Sequence, residues 1–157
     1  MGDILGFTVK SIDDKEVALE SLRGKVLLVV NVASACGFTP QYAGLEKLHR
    51  ALAPRGVSVL GFPSNDFGAQ EPGTEAQIKE FCSTRFDVTF PMFSKVKVKG
   101  PDAAPLYRAL GAAAGEPQWN FHKYLVGKDG RVVKAFRSNV APESKELLDA
   151  IEAALAA

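Results

Sequence analysis

The sequence predicts an α/β fold in which a central mixed β-sheet is flanked by helices. Three observations lead there. The run Val26–Val32 is almost wholly β-branched or aliphatic, which suits a strand buried on both faces. A helical repeat and a second apolar run, Val57–Phe62, follow it closely, and strand, helix and strand in so short a span imply a right-handed parallel crossover. Two further short runs flank Gly127-Lys-Asp-Gly130, a turn sequence tolerant of positive φ, so the sheet acquires an antiparallel hairpin.

In chain order, residues 1 to about 25 form an N-terminal extension before the first central strand. After a loop from Ala33 to Phe38, Thr39 is expected to cap a helix with Pro40 at its first position, and Tyr42, Leu45, Leu48 and Leu52 recur at helical spacing. The second strand leads into a polar, glycine-rich loop from Pro63 to Gly73. Thr74 with Gln77 three residues on is a capping-box pattern, and Ile78, Phe81, Cys82 and Phe86 give the next helix an apolar face. Residues from about 87 to 118 are irregular and read as an insertion before the C-terminal hairpin, with a short helix near Ala104 to Ala113. Tyr124–Val126 and Val132–Phe136 are the hairpin strands. Pro142 opens a last helix carrying Leu147, Leu148, Ile151 and Leu155, whose alanine-rich end is expected to fray. This order is that of a thioredoxin-like fold, and one domain spanning 1–157 is expected.

Bulk composition narrows the function. Lys and Arg total 19 against 18 Asp and Glu, so no positive field draws in nucleic acid or an anionic membrane. No stretch approaches the roughly 18 apolar residues that span a bilayer, the opening lacks a basic segment ahead of an apolar one, and Gly6 stands where a myristoylation pattern needs Ser or Thr. A cytoplasmic location follows as the expectation. His49 and His122 are too few and too isolated for a metal site and are expected at the surface, and no cofactor is implied. The two cysteines, Cys36 and Cys82, are then the residues to examine, because a reducing compartment dissolves ordinary disulfides.

Cys36 falls just past a buried parallel strand and just before a helix, where unpaired amide groups and the positive end of the helix dipole favour an anion. A small buried hydrophobe would occupy the same position equally well, so position alone leaves both readings open.

The residues around it are more specific. Asn31-Val-Ala-Ser-Ala-Cys-Gly-Phe-Thr39, Phe62-Pro-Ser-Asn-Asp-Phe-Gly-Ala-Gln-Glu-Pro-Gly73 and Trp119-Asn-Phe-His-Lys-Tyr-Leu-Val126 resemble the three signature blocks of the glutathione peroxidase family, in the family's order. The resemblance implies that Cys36 stands where the family keeps its peroxidatic cysteine or selenocysteine, with Gln70, Trp119 and Asn120 as the other members of its catalytic tetrad. Cysteine in place of selenocysteine implies a slower reaction with peroxide.

Topology supports the carry-over. Cys36 and Gln70 follow the two parallel strands and so share the carboxyl edge of the sheet, where α/β proteins place ligands. If the strand near 124 runs antiparallel to them, its beginning brings Trp119 and Asn120 to that edge. A thiolate attacking an O–O bond needs donors for its own charge and for the departing oxygen, which amide and indole N–H groups supply at roughly 1.5–3 kcal/mol per bond to a charged group. Without the family blocks, Trp119 would read as core, and Gln70 and Asn120 as turn residues.

Attack leaves Cys36 as a sulfenic acid that a second thiol captures as a disulfide. The segment Phe81-Cys82-Ser-Thr-Arg-Phe, with Phe90-Pro-Met-Phe after it, resembles that of two-cysteine, thioredoxin-using family members, which implies Cys82 as the resolving cysteine. Its spacing from Ile78 equally suits a core-facing helix residue. A bridge requires Cα atoms within about 7 Å, so local unfolding is expected to accompany it. Ser64 stands where some members carry another cysteine, and Asp66 replaces a frequent Gln, adding negative charge near the site. Lys123 either helps hold an anion or is an ordinary solvated lysine.

The function so implied is a thiol peroxidase for hydrogen peroxide and organic or lipid hydroperoxides, recycled by thioredoxin. Reduction by glutathione, and a peroxide sensor that relays oxidation to a partner protein, are the alternatives. The run from Gly100 to Gln118 is shorter than the corresponding insertion of tetrameric family members, so a monomer is expected.

Overall fold

The computed structural model describes residues 3–157. Ten regular elements follow one another: β1 (Thr8–Lys10), β2 (Glu16–Ala18), β3 (Val26–Val32), α1 (Gln41–Leu52), β4 (Val57–Pro63), α2 (Glu75–Phe86), α3 (Pro105–Ala114), β5 (Lys123–Val126), β6 (Val132–Phe136) and α4 (Lys145–Ala156), with short 3-10 turns after β2 and α1. The main sheet has the order β4-β3-β5-β6. β3 pairs parallel to β4 and antiparallel to β5, and β5 pairs antiparallel to β6, so the sheet is mixed as expected.

β3 sits at the centre and is buried throughout because its side chains alternate between two cores. Val26, Leu28, Val30 and Val32 point to one face, where they meet Tyr42 and Leu45 of α1, Ile78 and Cys82 of α2, and Leu147 and Ile151 of α4. Leu27 and Val29 point to the other, where Leu106, Tyr107 and Leu110 of α3 and Phe62 of β4 close over them. The uninterrupted apolar run in the sequence is thus the signature of a strand covered on both sides.

The N-terminal extension holds a feature the sequence did not signal. β1 and β2 pair as a hairpin with Val9 opposite Val17. Each is three residues long, too short for an alternating pattern to register. Behind it, Pro91 and Phe93 exchange backbone hydrogen bonds with Gly61, and Ser11 bridges to Phe93. The hairpin and this segment together cover β4, which would otherwise be an open edge of the sheet.

Local signals hold in some places and shift in others. Thr74 and Gln77 make the reciprocal capping box at the start of α2. The last helix begins later than Pro142, which is buried. Ser144 is the cap, its side chain accepting from the Leu147 amide, because a side-chain oxygen satisfies a free amide and proline cannot. The alanine-rich end stays helical to Ala156, where the Lys128 ammonium donates to the Leu155 carbonyl.

Neither histidine is a surface imidazole. His49 is half-buried, and its Nδ1 accepts from the Val59 amide of β4. His122 is buried against the Tyr124 ring with both nitrogens unpartnered, because it follows directly on the turn that enters β5.

Two stability predictions follow from these placements. Gly130 closes the β5–β6 turn at φ +83°, and a Cβ there would lie 2.7 Å from Leu5 Cγ and 2.9 Å from Asp3 Cβ. Gly130→Ala is expected to cost about 2 kcal/mol in urea unfolding, and an unchanged midpoint would contradict the crowding. Burial and the nearby Lys123 and Arg137 charges lower the His122 pKa from 6.5 to about 4. The unfolded chain therefore takes up this proton first as pH falls, so the stability tied to neutral His122 is complete above pH 6.5 and is lost between there and about pH 4. The gap corresponds to roughly 3 kcal/mol. His122→Phe should show a smaller fall in urea midpoint from pH 7 to 4.5 than the parent chain; an equal fall would show that His122 does not carry it.

Candidate active site

Cys36 lies five residues before α1, in a loop tied down at almost every position. Its own amide donates to the Thr39 hydroxyl at 2.9 Å, and that hydroxyl donates to the Ala33 carbonyl at 2.8 Å. Thr39 is therefore not the helix cap. A β-hydroxyl three residues past Cys36 instead folds the loop back on the end of β3, and the first turn after it closes by backbone bonds alone. The Cys36 sulfur accepts from the Phe38 amide at 3.3 Å, a contact suited to a thiolate. Only 8% of Cys36 is exposed, although Ala35 and Gly37 on either side face solvent.

The loop after β4 is laced to this one. The Ala35 amide donates to the Gln70 carbonyl at 3.1 Å, and the Ser34 amide donates to the Glu71 carboxylate at 3.2 Å. Glu71 is buried, and burial pushes its carboxyl above the usual range. Two consecutive residues of one loop thus grip the two residues that precede Cys36.

The third segment arrives as the topology requires. β5 runs antiparallel to β3 with Lys123 opposite Val30, so the residues before Lys123 reach the edge where β3 ends. Asn120 donates from its side-chain amide to Gln70 Oε1 at 3.0 Å and to the Phe67 carbonyl at 3.3 Å. With its oxygen taken by Asn120, the Gln70 side chain keeps its NH2 group available as a donor. Trp119 packs on Phe67 with ring centroids 5.6 Å apart. Gly68 makes room for it, since a Cβ there would sit 3.2 Å from the indole. Gln70, Trp119 and Asn120 are thereby gathered in one cluster, and Gln70 is bonded to the residue next to Cys36.

Asn31 was not singled out in the sequence. Its side-chain amide donates to the Trp119 carbonyl at 3.0 Å, and its own carbonyl accepts from the Phe121 amide. An asparagine inside an otherwise apolar strand was the signal available.

Two expectations about charge are corrected. Asp66 does not present its carboxylate to the site, because Oδ2 accepts from the Val98 and Lys99 amides and ties the loop to the insertion. Lys123 is neither solvated nor an anion holder. It is fully buried, and its ammonium donates to the Phe121 carbonyl at 2.7 Å and the Ser138 carbonyl at 3.3 Å, because it points inward from β5. Burial lowers its pKa to about 7.

Cys82 lies on α2 and faces the core that also contains Cys36, and both sulfurs are unbridged. Burial pushes the Cys82 thiol up to about 11. The Tyr42 hydroxyl lies beside it without closing a hydrogen bond of normal geometry. Among the described residues, no helix is long and apolar enough to cross a membrane, and no three His, Cys, Asp or Glu side chains gather to hold a metal ion.

Comparisons with known proteins identify the family and the fold. The family model described as glutathione peroxidase matches residues 4–111. Hydroperoxy fatty acid reductase gpx1 of Synechocystis sp. is 50% identical, over 89% of each chain. Thioredoxin/glutathione peroxidase BtuE of Escherichia coli is 43% identical, over 98% of this chain and 97% of its own. Among solved structures, Trgpx in its apo form superposes with a TM-score of 0.81 at 37% identity, covering 99% of this chain and 96% of its own. A thioredoxin family protein from Chlorobium tepidum, 22% identical with a TM-score of 0.70 over 95% of this chain and 92% of its own, shares the fold. The chain belongs to the glutathione peroxidase family and is a peroxide-reducing oxidoreductase built on a thioredoxin-like fold.

Proposed function

We propose that the chain reduces hydrogen peroxide and organic or lipid hydroperoxides through Cys36, resolves the product with Cys82 and is recycled by thioredoxin. In the first step the Cys36 thiolate attacks one peroxide oxygen. The O–O bond breaks, the other oxygen leaves with a proton as water or an alcohol, and Cys36 becomes a sulfenic acid. Gln70 and Trp119 supply neutral donors for the charge on sulfur and on the departing oxygen, and Asn120, whose two side-chain N–H groups serve Gln70 Oε1 and the Phe67 carbonyl, aims the Gln70 amide. The observation that carries this reading is the pair of bonds that bring Asn120 to Gln70 and Gln70 to the residue beside Cys36.

In the second step the Cys82 sulfur attacks the Cys36 sulfur, the S–O bond breaks, and the hydroxide takes a proton to leave as water. A dithiol then reduces the disulfide. Release of Cys82 requires α2 to open locally. Its light anchoring supports this, since Ile78 and Cys82 are its only fully buried residues. Thioredoxin is favoured as reductant because a Cys36–Cys82 disulfide is a dithiol's substrate. The names of two relatives support the substrates and reductants, one a hydroperoxy fatty acid reductase and the other a thioredoxin/glutathione peroxidase. Two unpaired cysteines suit the reducing cytoplasm, where we place the protein as a monomer of one domain over residues 1–157.

Cys82→Ser should consume one equivalent of peroxide per chain and then stop with thioredoxin, while mass spectrometry of the oxidised parent finds residues 36 and 82 linked. Sustained turnover by the variant would remove Cys82 from the cycle, and full turnover with glutathione in its place would reassign the reductant. Gln70→Ala and Asn120→Ala should each slow the first oxidation of Cys36 by on the order of 10²-fold. Rates within twofold of the parent would leave the cluster without a catalytic role.

A further inference from the structure

Lys123 is a fully buried amine that no carboxylate among the described residues pairs with. Burying such a group is unfavourable, and an apolar side chain of the same length would fill the space without that cost. What the amine supplies is hydrogen bonds to two carbonyls. The stronger, at 2.7 Å, goes to Phe121, the residue that follows Trp119 and Asn120.

Phe121 holds φ at +65°, in the left-handed region that a bulky residue enters only under external constraint. The constraint is visible on both sides. From β3, Asn31 accepts from the Phe121 amide at 2.6 Å and donates to the Trp119 carbonyl at 3.0 Å. From β5, Lys123 takes the Phe121 carbonyl. Its second bond, to Ser138, joins the turn to the start of α1, because the Gln41 side chain donates to the same Ser138 carbonyl at 2.7 Å.

Resting on the tetrad reading above, we infer that Lys123 is a positioning residue of the peroxidatic site, whose amine holds the left-handed turn at Phe121 and so presents Asn120 to Gln70. The clamp depends on N–H donors more than on charge, since a neutral amine still offers two and both carbonyls stay served. Lys123 touches no reacting atom. It acts through the peptide that Phe121 contributes.

The experiment is a double-mutant cycle of Lys123→Met with Asn120→Ala, reading the second-order rate of the first Cys36 oxidation by hydrogen peroxide. The single tryptophan, Trp119, reports it by fluorescence. Lys123→Met is expected to slow the reaction about tenfold in the parent chain and by less than twofold when Asn120 is already alanine, because the turn then has no amide to place. A purely structural lysine would lower the unfolding midpoint and leave the folded enzyme's rate alone. Parent-like oxidation by Lys123→Met, or the same tenfold loss in both backgrounds, overturns the inference. An Asn120→Ala chain that oxidises at the parent rate instead overturns the tetrad reading beneath it. If Lys123→Met does not fold, Lys123→Gln enters the same cycle under the same criteria, with a shorter donor that should reach the Phe121 carbonyl poorly.

Discussion

β5 runs back beside β3 with Lys123 opposite Val30, and the chain just before it meets the end of the central strand where Asn31 sits. That antiparallel return decides what stands near Cys36. The two parallel strands alone would deliver Cys36 and Gln70 to one edge, since both loops leave the carboxyl ends. Only the reversed third strand brings its preceding residues there. Asn31 converts the topological neighbourhood into a contact, its side chain and carbonyl taking up Trp119 and Phe121 on either side of Asn120.

The loops that carry the cluster then lock one another. Gln70 and Glu71 hold the backbone of Ala35 and Ser34, Thr39 folds the Cys36 loop back to Ala33, and Asn120 fixes the Gln70 amide. Apart from the Thr39 bond, these join different loops and so depend on the assembled sheet. A site of neutral donors needs this, because an amide stabilises developing charge only if it is already aimed when the charge appears.

How much of this the sequence discloses depends on the kind of interaction. Val26–Val32 and Val57–Phe62 were legible because two-sided burial leaves an unbroken apolar run, and α2 because a capping box is a local pattern. The β1–β2 hairpin was not, since three-residue strands carry no measurable period. Cys36, Gln70, Trp119 and Asn120 were legible through the order of three sequence blocks and the expected direction of β5. Thr39, Asp66, His122 and Lys123 were misjudged for a shared reason. Each is a polar residue whose partner is a backbone group, or is absent, and residue type alone does not tell a buried polar side chain from a solvated one.

If Cys82 resolves the oxidised Cys36 as proposed, its burial would time the reaction. In the closed fold its thiol is held up near 11 by desolvation, with the Glu71 charge acting in the same direction, so at neutral pH the sulfur is protonated and a poor nucleophile. In the proposed cycle the sulfur leaves this environment only when α2 opens. Exposure to water removes the desolvation that raised its pKa, so one motion both frees the sulfur to travel and returns it toward the ordinary thiol range. A resolving cysteine kept at the surface would be more ionised and open to oxidation between turnovers. Because Cys82 sits on the buried face of α2 beside Ile78, its reactivity in that cycle would be coupled to the opening of the helix, and the same apolar packing that secures the resting core would keep the second thiol silent until it is used.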